Sequence, residues 1–134
     1  MPDDSKESTI KINDAEELIR LIDWEKVGFL VPVITQHYLT GKVLMLGYMN
    51  QEALRGSLQK GRMIYYSRTR QCLWEKGGTS GDFQFIKSMR LDCDNDTLLV
   101  KVKQIGSVCH TGNKSCFYKK YNINKKYADK KDKQ

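Results

Sequence analysis

The chain has 134 residues, a length that fits one domain. Hydrophobic residues make up 40% and charged residues 29%, ordinary values for a globular chain, and no apolar run approaches the ~18 residues of a membrane span. The formal net charge is +7, but Lys119, Lys120, Lys125, Lys126, Lys130, Lys131 and Lys133 all follow the last cysteine. Without that tail the body is nearly balanced, so basicity does not argue for a nucleic-acid partner.

Residues 1–12 read as a polar leader without the basic and apolar regions of a signal peptide, and the cytoplasm is the expected compartment. Asn13 with Glu16 resembles a capping box, and Ala15, Leu18, Ile19 and Ile22 then form one helical stripe. Val27 to Gln36 and Val43 to Met49 read as strands around a Thr40-Gly41 turn. Asn50 is placed to cap a helix that runs through Lys60 and stops at Gly61. Met63 to Ser67 is strand-like, Leu73 to Lys76 is short and extended, and Gly77 to Gly81 is a glycine-rich loop. Phe83 to Leu91 and Thr97 to Gln104 are two further strands with Asp94 to Asp96 at the turn between them. A last extended piece starts at Cys116. The expected fold is α+β and β-rich, a mostly antiparallel sheet with two short helices. The domain spans 13–121, and 122–134 form a basic, disordered tail.

Two short runs carry the chemistry. In DCDND, Asp92, Asp94 and Asp96 share one face if the run is extended, and Cys93 points the other way. Three carboxylates on one face repel one another unless a cation lies among them, and hard oxygen donors suit magnesium. An EF-hand is excluded, because its sixth position falls on Thr97 and its twelfth on Lys103. In CHTGNKSC, Cys109 and Cys116 are separated by six residues that include a glycine, so one loop can bring both to one ion. Cys93 would join them from the strand pair next door or from another copy of the chain. Thiolates are soft donors that suit zinc, and three of them leave a fourth position open for water, whose pKa zinc lowers to about 7. His110 is then a candidate for proton transfer. Four cysteines without a signal peptide argue for metal binding rather than disulfides.

The stretch SRTRQCLWEKGGTSG adds Arg68, Trp74, Lys76, Thr79 and Ser80 as candidates for substrate binding. Basic and hydroxyl side chains beside exposed glycine N–H groups can cradle phosphate, and an indole can stack on a base. Cys72 reads as an unremarkable thiol. A non-catalytic alternative is a zinc-stabilised module for nucleotides or nucleic acid, with Cys72 as fourth ligand, but no C-x-x-C knuckle supports it.

The runs DWEK, VLMLGYMNQEAL, YYSRTRQCLWEKGGTSG, LDCDNDTLL and GSVCHTGNKSCF resemble the phosphoribosyl-AMP cyclohydrolase family of histidine biosynthesis, over about residues 23–118. The resemblance implies a hydrolase that opens the adenine ring of phosphoribosyl-AMP. It implies zinc on Cys93, Cys109 and Cys116, and magnesium on Asp92, Asp94 and Asp96. It further implies a homodimer with active sites at the subunit interface, in which Cys93 crosses to the other two cysteines. The family's K-G-E-[ST]-S-G loop appears here as KGGTSG, so Gly78 stands where a glutamate is usual. A second, pyrophosphohydrolase domain carried by some members is not expected in this chain.

Overall fold

The computed structural model describes residues 14–127. Eight elements follow in order: α1 Ala15–Leu21, β1 Val31–His37, β2 Val43–Met49, α2 Gln51–Lys60, β3 Ile64–Ser67, β4 Cys72–Glu75, β5 Gln84–Leu91 and β6 Leu98–Gln104. One sheet has the order β2-β1-β6-β5, and β3 and β4 form a separate hairpin. The fold is α+β with two helices and mostly antiparallel strands, as the sequence implies. The exception is β1 with β6, which pair in parallel, Val33 opposite Leu98 and His37 opposite Val102.

Local chemistry accounts for most boundaries. The Asn50 side chain accepts from the Ala53 N–H, and Gly61 ends α2 in the left-handed conformation at φ 72°. Both ends fall where expected. Asn13 lies outside the described residues, as do the leader and residues 128–134. The cap of α1 is Asp14, whose carboxylate accepts from the Glu17 N–H at 3.0 Å. The first strand begins at Val31 rather than Val27, because Gly28 and Phe29 both take positive φ. The Phe29 N–H closes that turn on the Trp24 carbonyl at 2.8 Å. Of the tail, residues 122–127 are exposed.

The alternation expected of half-buried strands holds in the centre of the sheet. Val31 and Val33 of β1 and Leu98, Val100 and Val102 of β6 are all fully buried. They pack into one cluster with Leu18, Ile19 and Ile22, the stripe of α1 and its C-cap, and with Ala53 and Leu54 of α2. Among the described residues no helix is long and apolar enough to cross a membrane.

Polar groups interrupt this core along one line. Thr35, Tyr65 and Gln84 are at most 1% exposed. The Tyr65 hydroxyl donates to Gln84 Oε1 at 2.7 Å, so its single proton is used and the Thr35 hydroxyl donates to it at 2.8 Å. Gln84 Nε2 donates to Gln104 Oε1 at 2.8 Å, and Gln104 Nε2 donates to the carbonyls of Asp82 at 3.1 Å and Ile105 at 2.8 Å. A satisfied buried network of this kind fixes a unique arrangement. Here it ties four strands to the two loops, 77–83 and 105–108, that flank the candidate site.

Candidate active site

A cavity of about 410 Å³ opens between the glycine-rich loop and the loop after β6. Trp74, Lys76, Thr79, Ser80, Cys109, His110 and Cys116 line it, so the fold brings seven of the sequence candidates together. Gly77 and Gly81 take φ of 87° and 84°, and the Gly81 N–H returns to the Gly77 carbonyl at 2.8 Å. This turn folds the loop back over the end of β4. Gly78 has no positive φ, and an added Cβ would stand 3.2 Å from the Glu75 carbonyl oxygen, a tight but not impossible approach. The backbone conformation therefore does not require glycine at 78.

Cys109 to Gly112 form a turn rather than an extended pair, closed by the Gly112 N–H on the Cys109 carbonyl at 2.9 Å. Strand parity therefore does not turn the His110 side chain away from Cys109. The imidazole Nδ1 lies 4.0 Å from Cys109 Sγ. Cys116 is held from the other side: its N–H donates to the Leu44 carbonyl at 2.7 Å, and the Ser115 hydroxyl donates to the Val43 carbonyl at 2.9 Å. Thr111, through hydroxyl and backbone, draws the Cys109 thiol below its ordinary value. Desolvation, and then the neighbouring Cys109 sulfur, push Cys116 up. One thiol biased toward the anion beside one biased against it makes a soft donor pair that an ion such as zinc would complete.

Lys76 is 6% exposed, and its ammonium stands 6.0 Å from the centre of the Trp74 ring. Burial lowers its pKa, opposed by the charges of Asp82 and the two cysteines. A desolvated ammonium in a cavity is set up for an anion. Arg68 is not among the lining residues; its guanidinium lies 3.9 Å over the Tyr48 ring. Cys72 is exposed on β4 and lines a neighbouring cavity of about 520 Å³ with Arg70, Trp74 and His110.

The aspartates gather elsewhere. Asp92 to Asp96 form a turn with Asn95 at φ 63°, not an extended run. The three carboxylates still converge: ligand oxygens of Asp92, Asp94 and Asp96 lie within 4.8 Å of one another. Convergence comes from the turn, in which Asp92 Oδ1 accepts from the N–H groups of Asp96 at 2.9 Å and Thr97 at 3.2 Å. The Lys26 ammonium sits against this cluster, 2.6 Å from Asp94 Oδ2 and 2.9 Å from Asp96 Oδ2. It holds the Asp96 carboxyl far below the usual range, and the two carboxylates raise the lysine. The set of hard oxygens already draws a cation and fits magnesium chemically.

Cys93, in the same turn, is exposed and forms no three-ligand group with Cys109 and Cys116. Among the described residues the aspartates are the one group of three possible ligand side chains. Neither Cys93 nor Cys72 completes the Cys109–Cys116 pair within one chain. Asp82, Ser107 and Met45 line the cavity and Lys26 meets the aspartates, all unmarked by sequence reasoning. Asp82 had one signal, its position directly after the glycine-rich loop.

The family model for phosphoribosyl-AMP cyclohydrolase matches residues 45–118. A phosphoribosyl-AMP cyclohydrolase of Clostridium botulinum (strain Alaska E43 / Type E3) is 52% identical over 104 residues, covering 78% of this chain and 95% of that protein. The protein of the same name from Clostridium beijerinckii is 48% identical over 101 residues, 75% of this chain and 93% of its own. The histidine biosynthesis bifunctional protein HisIE of Escherichia coli K12 is 55% identical over 102 residues, 76% of this chain but 50% of that longer protein. The chain is thus an enzyme, a hydrolase. It belongs to the phosphoribosyl-AMP cyclohydrolase family.

Proposed function

We propose that this hydrolase opens the adenine ring of phosphoribosyl-AMP between N1 and C6, as a cytoplasmic step of histidine biosynthesis. The supporting observation is one cavity that joins Cys109, Cys116 and His110 to Lys76 and the glycine-rich loop, in a chain of this family. Cys109 and Cys116 would bind zinc together with Cys93 of the partner subunit, in a homodimer with its active sites at the interface. When bound, zinc supplies the Lewis acidity that makes water nucleophilic near neutral pH. Asp92, Asp94 and Asp96 would hold magnesium, which supplies positive charge for a substrate phosphate. Lys26 would then leave the cluster.

The remaining roles belong to side chains on the cavity wall. His110 takes the proton from the attacking water and passes it toward N1. The N1–C6 bond breaks, N1 keeps the electron pair and gains a proton, and C6 becomes a carboxamide carbonyl. Lys76, Thr79 and Ser80 hold a phosphate, and Trp74 flanks the base. Arg68 would serve substrate from outside the cavity wall.

An absorbance assay with phosphoribosyl-AMP tests this reading. Turnover should vanish with chelator and return with zinc, and Cys109→Ser should lose both zinc and rate. Full zinc content and full turnover in Cys109→Ser would overturn it. Mixing inactive Cys93→Ser and Cys116→Ser chains should restore part of the rate, because one composite site of a mixed dimer is intact. Mixed dimers that stay inactive would refute the shared ligand.

A further inference from the structure

Among the described residues Asp82 is the one carboxylate that lines the cavity, and its role is so far unassigned. The fold makes room for it twice. Gly106 takes φ 63°, and a Cβ there would overlap the Asp82 carboxylate, coming within 2.7 Å of its Cγ. Gly77 takes φ 87°, and a Cβ there would stand 2.5 Å from the Asp82 carbonyl carbon. The backbone is pinned as well: the Asp82 N–H donates to the Ser80 hydroxyl at 3.1 Å, and the Asp82 carbonyl accepts from Gln104 at 3.1 Å. Among the described residues nothing donates to the carboxylate itself and no cation stands within 4.0 Å of it. A half-buried carboxylate, held in place by two glycines and a buried amide network, feels the Lys76 ammonium only at longer range and has no hydrogen-bond donor, so it is arranged for a cationic donor group that arrives from the cavity.

Resting on the function proposed above, the chemistry of the substrate names that group. Substitution at ring N1 leaves an adenine amidine positively charged over N1, C6 and the exocyclic nitrogen, whereas unsubstituted AMP is neutral there. We propose that Asp82 binds the amidinium edge of the N1-substituted adenine through a charge-assisted hydrogen bond from the exocyclic amine, and so distinguishes the substrate from AMP. Opening the ring turns C6 and its amine into a neutral carboxamide and ends the charge pairing, which favours release. Lys76, on the same cavity wall, leaves the cationic base to Asp82 and takes the anionic end of the ligand.

The test compares N1-methyl-AMP, a permanent N1-substituted adenine, with AMP by titration calorimetry on the metal-loaded wild type and Asp82→Asn. The substitution keeps shape and removes charge. Wild type should prefer N1-methyl-AMP, and Asp82→Asn should lose about tenfold of that preference while AMP affinity stays within about twofold. An unchanged preference in Asp82→Asn overturns the proposal, as does an equal loss for both nucleotides, which marks a structural role. A wild type that turns over phosphoribosyl-AMP while either overturning result appears loses only this inference. A wild type that binds neither nucleotide and opens no phosphoribosyl-AMP loses the functional reading itself.

Discussion

The buried chain Thr35–Tyr65–Gln84 gives a prediction whose size follows from counting partners. Tyr65 receives the Thr35 proton and gives its own to Gln84 Oε1. Tyr65→Phe therefore orphans two fully buried groups at once, a hydroxyl donor and an amide acceptor. Each orphan costs about 1–3 kcal/mol, so a loss of about 2–6 kcal/mol is expected. Thr35→Val alone is milder, about 1 kcal/mol, since the phenol still donates to Gln84. In the double mutant only Gln84 Oε1 lacks a partner, so adding Thr35→Val to Tyr65→Phe should return about 1 kcal/mol or more rather than remove it. Urea unfolding at one fixed protein concentration reads this out: the midpoint of Tyr65→Phe should fall by about 1 M or more, and that of the double mutant by less. Additive losses, or a double mutant weaker than Tyr65→Phe, would refute the assigned direction of these hydrogen bonds.

Asp94→Asn should raise the magnesium needed for half-maximal rate while sparing bound zinc, because it removes a hard donor from the converging three. Superimposable magnesium titrations for wild type and variant would take the aspartates out of the mechanism. The Glu16–Arg55 pair, 2.6 Å apart, should contribute to stability in a pH-dependent way. The Arg55 guanidinium holds the Glu16 carboxyl below its ordinary 4.5, so the stabilisation is present above that value and is lost as pH falls through the lower folded value. The stability gap between wild type and Arg55→Met should accordingly close on acidification, measured as denaturant midpoints from pH 7 to pH 3. A gap that is constant with pH would show that packing of the arginine stem, not its charge, sets the difference.

What the sequence makes legible is what neighbouring residues decide. Asn50 and Gly61 bracket α2 because both caps are local hydrogen-bonding and φ requirements. The alternation of Leu98, Val100 and Val102 reads directly as one buried face of β6. The beginning of β1 is misread because Val27 to Val31 is an apolar run, and only the paired left-handed residues Gly28 and Phe29 reveal the turn. The parallel pairing of β1 with β6 has no local signal at all, since it joins segments some sixty residues apart. The same division runs through the site. Cys109, His110 and Cys116 declare themselves by type and spacing, but Lys26 gains meaning only from approach in space, and Asp82 has no local signal beyond its place after the glycine-rich loop. The DCDND run marks three carboxylates that converge, but a turn rather than strand parity brings them together.

The placement of the cysteines has a consequence for how such an enzyme works. Cys93 belongs to the turn that enters β6, whereas Cys109 follows the loop that leaves it, and β6 alone spans roughly 20 Å. In this fold the paired strand β6 holds the two segments at opposite ends, and Cys93 joins no three-ligand group with Cys109 and Cys116. The chain places two thiols beyond one end of this strand and a third before the other, and the proposed two-fold pair would bring them together by exchange. Under the proposed shared site, zinc binding and association are linked equilibria, so zinc should tighten the dimer and dilution should weaken zinc retention. Lys26 adds a second layer to that linkage. Its ammonium neutralises part of the carboxylate cluster, and under the proposed magnesium site it would hold the Cys93 turn in shape until the ion takes its place.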